Sequence, residues 1–137
     1  MLDFTTDFGK RLKRHLEQDE LVWFTSVTPK GMPSPNPVWF YWDGEVILVY
    51  SQPASYRVRN LRHNPQVALT FEGADALGNE FAVIQGEATM QPGNQSIPAG
   101  YWAKYEKFLP DISLTVEQMI RDYSVKIRVR PVRARGE

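Results

Sequence analysis

Ser55, Arg57 and Arg59 lie within five residues of one another in QPASYRVRNLRHNP (52–65), a grouping whose chemistry is anion binding. Ser55 can cap a helix, Val58 and Leu61 supply its buried side, and Asn64-Pro65 stops it, so the spacing predicts a short helix. Cations in a first helical turn oppose the positive end of the macrodipole, at a cost of about 0.3 to 1 kcal/mol each. A bound phosphate offsets that cost by taking the first-turn amides, the Ser55 hydroxyl and two guanidinium forks together. The same residues with Arg62 also describe a solvated basic helix face without a ligand.

A second group is Pro33, Pro35 and Pro37. Asp43-Gly44 between SPNPVWFYW (34–42) and EVILVYS (45–51) predicts a two-residue hairpin loop. Counting outward then sets Trp42 opposite Glu45, Phe40 opposite Ile47, Val38 opposite Val49 and Asn36 opposite Ser51. In that register the three prolines face away from the partner strand and leave an edge with carbonyl acceptors and no N–H donors. Such an edge is either protected against aggregation or forms a slot in which a flat polar heterocycle donates its own N–H to a strand carbonyl. Ser51 ends the strand opposite Asn36, so the anion site begins where the slot ends. The two together describe a nucleotide-like aromatic cofactor, and neither G-x-G-x-x-G nor G-x-x-x-x-G-K-[ST] occurs in the chain.

Other chemistries are poorly supplied. There is no cysteine, which excludes disulfides, a thiol nucleophile and a cysteine zinc site. His15 and His63 are too few for a multi-histidine metal centre, and His15 sits beside an apolar helix stripe, where a structural role is expected. No Ser-His-Asp set or carboxylate pair stands out, and Asp43, Glu45, Glu80, Glu87 and Glu106 read as solvated, so no catalytic residue is assigned. Lys126, Arg128 and Arg130 alternate on one face of the last strand, reading as a solvated exterior or as a partner for an anionic cofactor tail. Sixteen basic and sixteen acidic residues leave no net charge, which argues against nucleic acid and acidic membranes as partners.

These residues need a scaffold. With 137 residues, 42% hydrophobic, the chain is expected to form one domain, 1–137. Phe4, Phe8, Leu12 and Leu16 predict an amphipathic helix packed on a sheet. LVWFTSVT (21–28), the two hairpin strands, QVALTFEG (66–73), EFAVIQGEATM (80–90) and SVKIRVRPVRA (124–134) predict six strands, and YWAKYEKFL (101–109) and TVEQMIRDY (115–123) two short helices. The fold class is mainly β with flanking helices. No apolar run reaches the length of a membrane span and the start lacks a signal-peptide core, so a soluble cytoplasmic protein is expected.

The order of these features resembles the flavin-binding split-barrel proteins of the pyridoxamine 5′-phosphate oxidase-like class, and within it the small group described as probable enzymes of the deazaflavin coenzyme F420. The stretches that carry the resemblance are 23–45, VYSQPASYRVRNLRHNPQVAL (49–69), IQGEATM (84–90), YWAKY (101–105) and YSVKIRVRPVR (123–133). It implies a six-stranded split β-barrel that forms a homodimer, with two sites for FMN or F420 at the subunit interface. It places the ring along Asn36, Pro37, Val38 and Trp39, and the phosphate at Tyr50, Ser51, Gln52, Ser55 and the basic helix. There Arg57 stands where the family often has lysine and Arg59 matches a basic position. Gln85, Gly86 and Trp102 are implied contributions from the second subunit. The chain ends soon after the last strand, without the longer carboxy-terminal segment of vitamin B6 oxidation, so another acceptor is expected.

A reduced flavin or deazaflavin brings the hydride itself, so the protein need only hold the ring, expose one face and exclude water. The sequence therefore points to an oxidoreductase passing a hydride to a small unsaturated acceptor. A non-catalytic carrier or sensor of the same cofactor is the alternative, and a nucleic-acid-binding barrel is a third class.

Overall fold

A computed structural model describes residues 2–93 and 97–136. The chain runs α1 (Asp7–Gln18), β1 (Val22–Val27), β2 (Pro33–Val38), β3 (Tyr41–Trp42), β4 (Ile47–Ser51), α2 (Tyr56–Leu61), β5 (Gln66–Phe71), β6 (Ala82–Pro92), α3 (Ala99–Tyr105), a 3-10 turn (Glu106–Ile112), α4 (Val116–Asp122) and β7 (Val125–Gly136). The strands form one antiparallel sheet of seven, ordered β2-β1-β5-β6-β7-β4-β3, where the sequence predicts six. The difference arises because 34–42 is not one strand but two, broken at Trp39-Phe40.

β2 and β3 occupy opposite ends of that order yet are joined by two residues, so the sheet must curl until its ends meet. The result is a barrel split along one side. Its interior takes Val22 and Phe24 from β1, Val38 from β2, Ile47 and Val49 from β4, Leu69 and Phe71 from β5, Ile84 from β6 and Ile127 and Val129 from β7. Period-two alternation puts these side chains inward. The helix α1 caps one opening with Leu12 and Leu16 and begins at Asp7, with Thr6 as N-cap, so Phe4 precedes it. β4 is buried on both faces. Leu48 and Tyr50 pack outward into a second cluster with Tyr101, Tyr105, Leu109 and Met119 of the carboxy-terminal helical layer.

The hairpin register differs from the expected one. Asp43, Gly44, Glu45 and Val46 form a four-residue turn in which the Asp43 carboxylate accepts from the Glu45 and Val46 amides, each at 2.8 Å, and Gly44 takes φ 99°. Tyr41 then faces Leu48 and Trp42 faces Ile47. Val38 does not face Val49, nor Asn36 Ser51. β2 pairs instead with β1, with Pro33, Pro35 and Pro37 opposite Val27, Thr25 and Trp23.

The chain leaves β4 at Trp39-Phe40 because a hydroxyl 65 residues away replaces the ladder: Phe40 N–H donates to Tyr105 Oη at 2.9 Å, and its carbonyl lies 2.9 Å from the same hydroxyl and accepts from Lys104 Nζ at 3.1 Å. Lys126 is also placed differently from expectation. It is buried, opposite Tyr50 across the ladder, while Arg128 is half-buried and Arg130 alone of the three cations is exposed, pairing with Glu87. His15 is held in the structure, Nδ1 at 2.6 Å from Asp19 and Nε2 at 2.8 Å from the Glu80 carbonyl, with its ring stacked on Phe71. Among the described residues no helix is long and apolar enough to cross a membrane.

Candidate binding site at the open seam

Among the described residues β2 has a strand partner on one side only. In an antiparallel pair, residues alternate between hydrogen-bonded and outward-turned positions. Proline cannot donate, so Ser34, Asn36 and Val38 bond β1 and the three prolines turn their carbonyls to the free edge. A ladder therefore does run through 33–38, but on the β1 side. Beyond β3, the strand that pairs with residues 49–51 of β4 is β7 among the described residues. No strand among the described residues lies between β2 and this part of β4, and that gap is a seam in the barrel wall.

One end of the seam is closed by α2. Its cap forms as expected, Ser55 Oγ accepting from Val58 N–H at 3.3 Å, and Val58 and Leu61 enter the core. Two polar side chains one turn apart on α2 reach opposite sides of the opening. Asn60 Nδ2 donates to Ser26 Oγ of β1 at 2.9 Å, and Arg57 Nε donates to Ser51 Oγ of β4 at 3.3 Å. Ser26 and Ser51 are both fully buried and both inward by alternation, so each hydroxyl needs an internal partner.

The arginines do not act as one unit. The helix is six residues long, so Arg59 falls in its last turn, where a cation is favoured, and only Arg57 opposes the dipole. Residues two apart on a helix point to opposite sides. Arg57 is half-buried against Ser51, while Arg59 is exposed and lies 5.8 Å over the Tyr56 ring. Burial lowers the Arg57 pKa, countered in part by the Tyr123 phenol. Among the described residues neither Arg57, Arg59 nor Arg62 meets a carboxylate. A half-buried guanidinium without a counter-ion carries an uncompensated desolvation cost, which a phosphate would offset.

The other sequence-selected residues divide by face. Asn36 shares the inward face with Phe24 but is exposed, because β2 borders the seam; Gln52 is exposed in the turn before α2. Val38 lies in the core, and Trp39 stacks on Tyr105 at 4.6 Å between ring centroids, so both side chains are committed to packing. Tyr50 and Trp102 belong to the helical cluster around Tyr101; burial pushes Tyr50 up to about 12, with Asp43 adding to the shift. Gln85 lies on the outer face of the sheet with Thr25, Pro33, Gln66 and Arg133, lining a groove of about 430 Å³. Pro37 lines a second groove with Trp23, Glu20 and Glu72. Asn60, Ser26 and Tyr123 were not selected from the sequence. Alternation in LVWFTSVT did put Ser26 with Val22 and Phe24 on the inward face, a signal that its hydroxyl required a partner.

A family model described as pyridoxamine 5′-phosphate oxidase matches residues 8–135. Among solved structures, an F420 reductase is 26% identical with a TM-score of 0.70, covering 91% of this chain and 96% of that one. A conserved hypothetical protein from Mycobacterium tuberculosis superposes with a TM-score of 0.73 at 20% identity, over 92% of this chain and 81% of that one. A heme storage protein from Vibrio cholerae has a TM-score of 0.62 at 14% identity, over 96% and 95%. At such identities the last two show the fold alone. No curated protein is matched.

Proposed function

The chain belongs to the pyridoxamine 5′-phosphate oxidase family, and on that premise we propose that it is an oxidoreductase that holds FMN or the deazaflavin F420 at the seam between β2 and β4 and passes a hydride to a small unsaturated acceptor. The observation that carries this reading is Arg57, half-buried, bonded to Ser51 and without a carboxylate partner. An anionic phosphate at that point neutralises the guanidinium and takes up its remaining donors. The ring then extends along the free edge of β2, where outward carbonyls accept from a heterocycle N–H and Asn36 lies open.

The residues present fit such a group. Arg57, Ser55 and the exposed Gln52 surround the phosphate end, and the proline edge supplies acceptors at the ring end. The cofactor contributes the hydride chemistry when bound; the chain contributes binding, orientation and exclusion of water. A second copy of the chain is part of this reading: it covers the outer groove that Pro33 and Gln85 line, and brings Trp102 toward the first copy's ring. The F420 reductase relative supports the deazaflavin as cofactor.

Titration of the purified protein with FMN and with F420, followed by ring absorbance and fluorescence, tests the reading. Saturable binding of either, weakened at least tenfold in Arg57→Met, is the expected result. Absence of binding to both, or an unchanged affinity in the variant, rejects the site. Turnover with an artificial acceptor then separates an enzyme from a carrier.

A further inference from the structure

The free edge of β2 is unusual in what it lacks. A β-edge normally alternates N–H and C=O groups, so a ligand lying along it can find both donors and acceptors. Here every outward position of the strand is proline, at 33, 35 and 37, and the edge presents carbonyl oxygens alone. Past the strand, the Phe40 N–H is taken by Tyr105 Oη at 2.9 Å. From Pro33 to Phe40 the backbone therefore has at most the Trp39 amide to offer a ligand as a donor.

Flavins and 5-deazaflavins share the tricyclic outline and differ in what they present at position 5. An oxidised flavin has a ring nitrogen there, with a lone pair that seeks a donor. An oxidised 5-deazaflavin has a C–H, which needs no donor and can make a weak C–H···O contact with a carbonyl. A lone pair pressed against carbonyl oxygens loses its hydrogen bond to water and gains none, whereas the C–H loses nothing comparable. Selectivity of this kind comes from the group left unpaired in the wrong ligand.

We propose that Pro35 and Pro37 make this edge selective for an oxidised 5-deazaflavin over the corresponding oxidised flavin, by withholding the backbone donor that a flavin nitrogen at position 5 requires. The inference rests on the reading that the ring lies against the free edge of β2, and it takes the long side of the ring that carries position 5 as the side facing that edge. Reduction of a flavin converts that nitrogen to an N–H donor, so the same edge accepts reduced FMN better than oxidised FMN.

The test compares FMN with 5-deaza-FMN, which differ only at position 5 and share the phosphate tail. Wild-type protein is expected to bind oxidised 5-deaza-FMN about tenfold more tightly than oxidised FMN, the worth of one hydrogen bond. Pro35→Ala and Pro37→Ala each return an N–H to the edge, and at least one should narrow the gap through tighter FMN binding while 5-deaza-FMN stays within twofold. The wild-type protein also gives a readout that needs no variant: bound FMN should have a midpoint potential above that of free FMN. Equal wild-type affinities for the two rings, or a gap that neither alanine variant narrows, overturns the selectivity while leaving the site intact. Failure to bind either ring overturns the site itself and the selectivity with it.

Discussion

Asn60 and Ser26 are joined by a 2.9 Å hydrogen bond that ties α2 to the inner face of β1, with both residues buried. Removal of either side chain's polar group strands the other in the barrel mouth. Asn60→Ala strands the Ser26 hydroxyl and Ser26→Ala strands the Asn60 carboxamide N–H, so each should lower unfolding free energy by about 1 to 3 kcal/mol. The double variant should cost clearly less than the sum of the two. Urea denaturation of the four proteins measures the coupling, and strict additivity would show that the bond contributes no coupling.

Arg57 and Arg59 should separate in function as they do in space. Arg57→Met is expected to weaken binding of a phosphate-bearing ring at least tenfold with little change in melting temperature, since its burial is uncompensated. Arg59→Ala, on the solvent side over Tyr56, should change affinity less than threefold. Similar losses from both substitutions would place the phosphate on the outer side of α2.

Tyr105 is expected to matter for the break between β2 and β3. Tyr105→Phe keeps the ring stacked beside Trp39 but leaves the buried Phe40 N–H without a partner, a cost of about 1 to 3 kcal/mol. Thermal and urea unfolding measure it. A variant as stable as wild type would mean that a water molecule substitutes for the hydroxyl.

Lys104 gives stability a definite pH dependence. Its ammonium lies 3.7 Å from the centroid of the Phe40 ring. Burial lowers its pKa from 10.5 to about 8, against the opposing charges of Asp19 and Glu20. Over that window the unfolded chain holds a proton the folded chain has released, so stability rises with pH. Above it the buried tyrosines act the other way: Tyr50 is raised to about 12, and Tyr101 and Tyr105 are raised as well, so unfolded phenols ionise first and stability falls. Unfolding free energy should climb as the pH passes 8, and Lys104→Met should abolish that climb while retaining the alkaline decline.

The strands were legible wherever alternation was local, as in LVWFTSVT and QVALTFEG, and so was the α2 cap, because Ser55 and Val58 lie within one turn. The hairpin was not. Asp43-Gly44 marks a turn, yet the Asp43 carboxylate widens it to four residues, shifting the register by two and leaving the inward and outward faces unchanged. The break after Val38 depends on Tyr105, far along the chain, and no local pattern announces it. The donor-free proline edge was readable from residue type, but its ladder partner was not. The basic helix was readable as a motif, whereas its brevity, which puts Arg59 at the favourable end, shows only in three dimensions.

Trp39 and Phe40 are the covalent joint between the two ends of the sheet, and along the seam beside them no ladder closes the wall. A tube slit along its length flexes far more readily than an intact one, because its girth can change by hinging at the joint while every strand pair survives. The wall is therefore most compliant along the line where a flat molecule would be gripped, with α2 as the clasp that limits how far it springs.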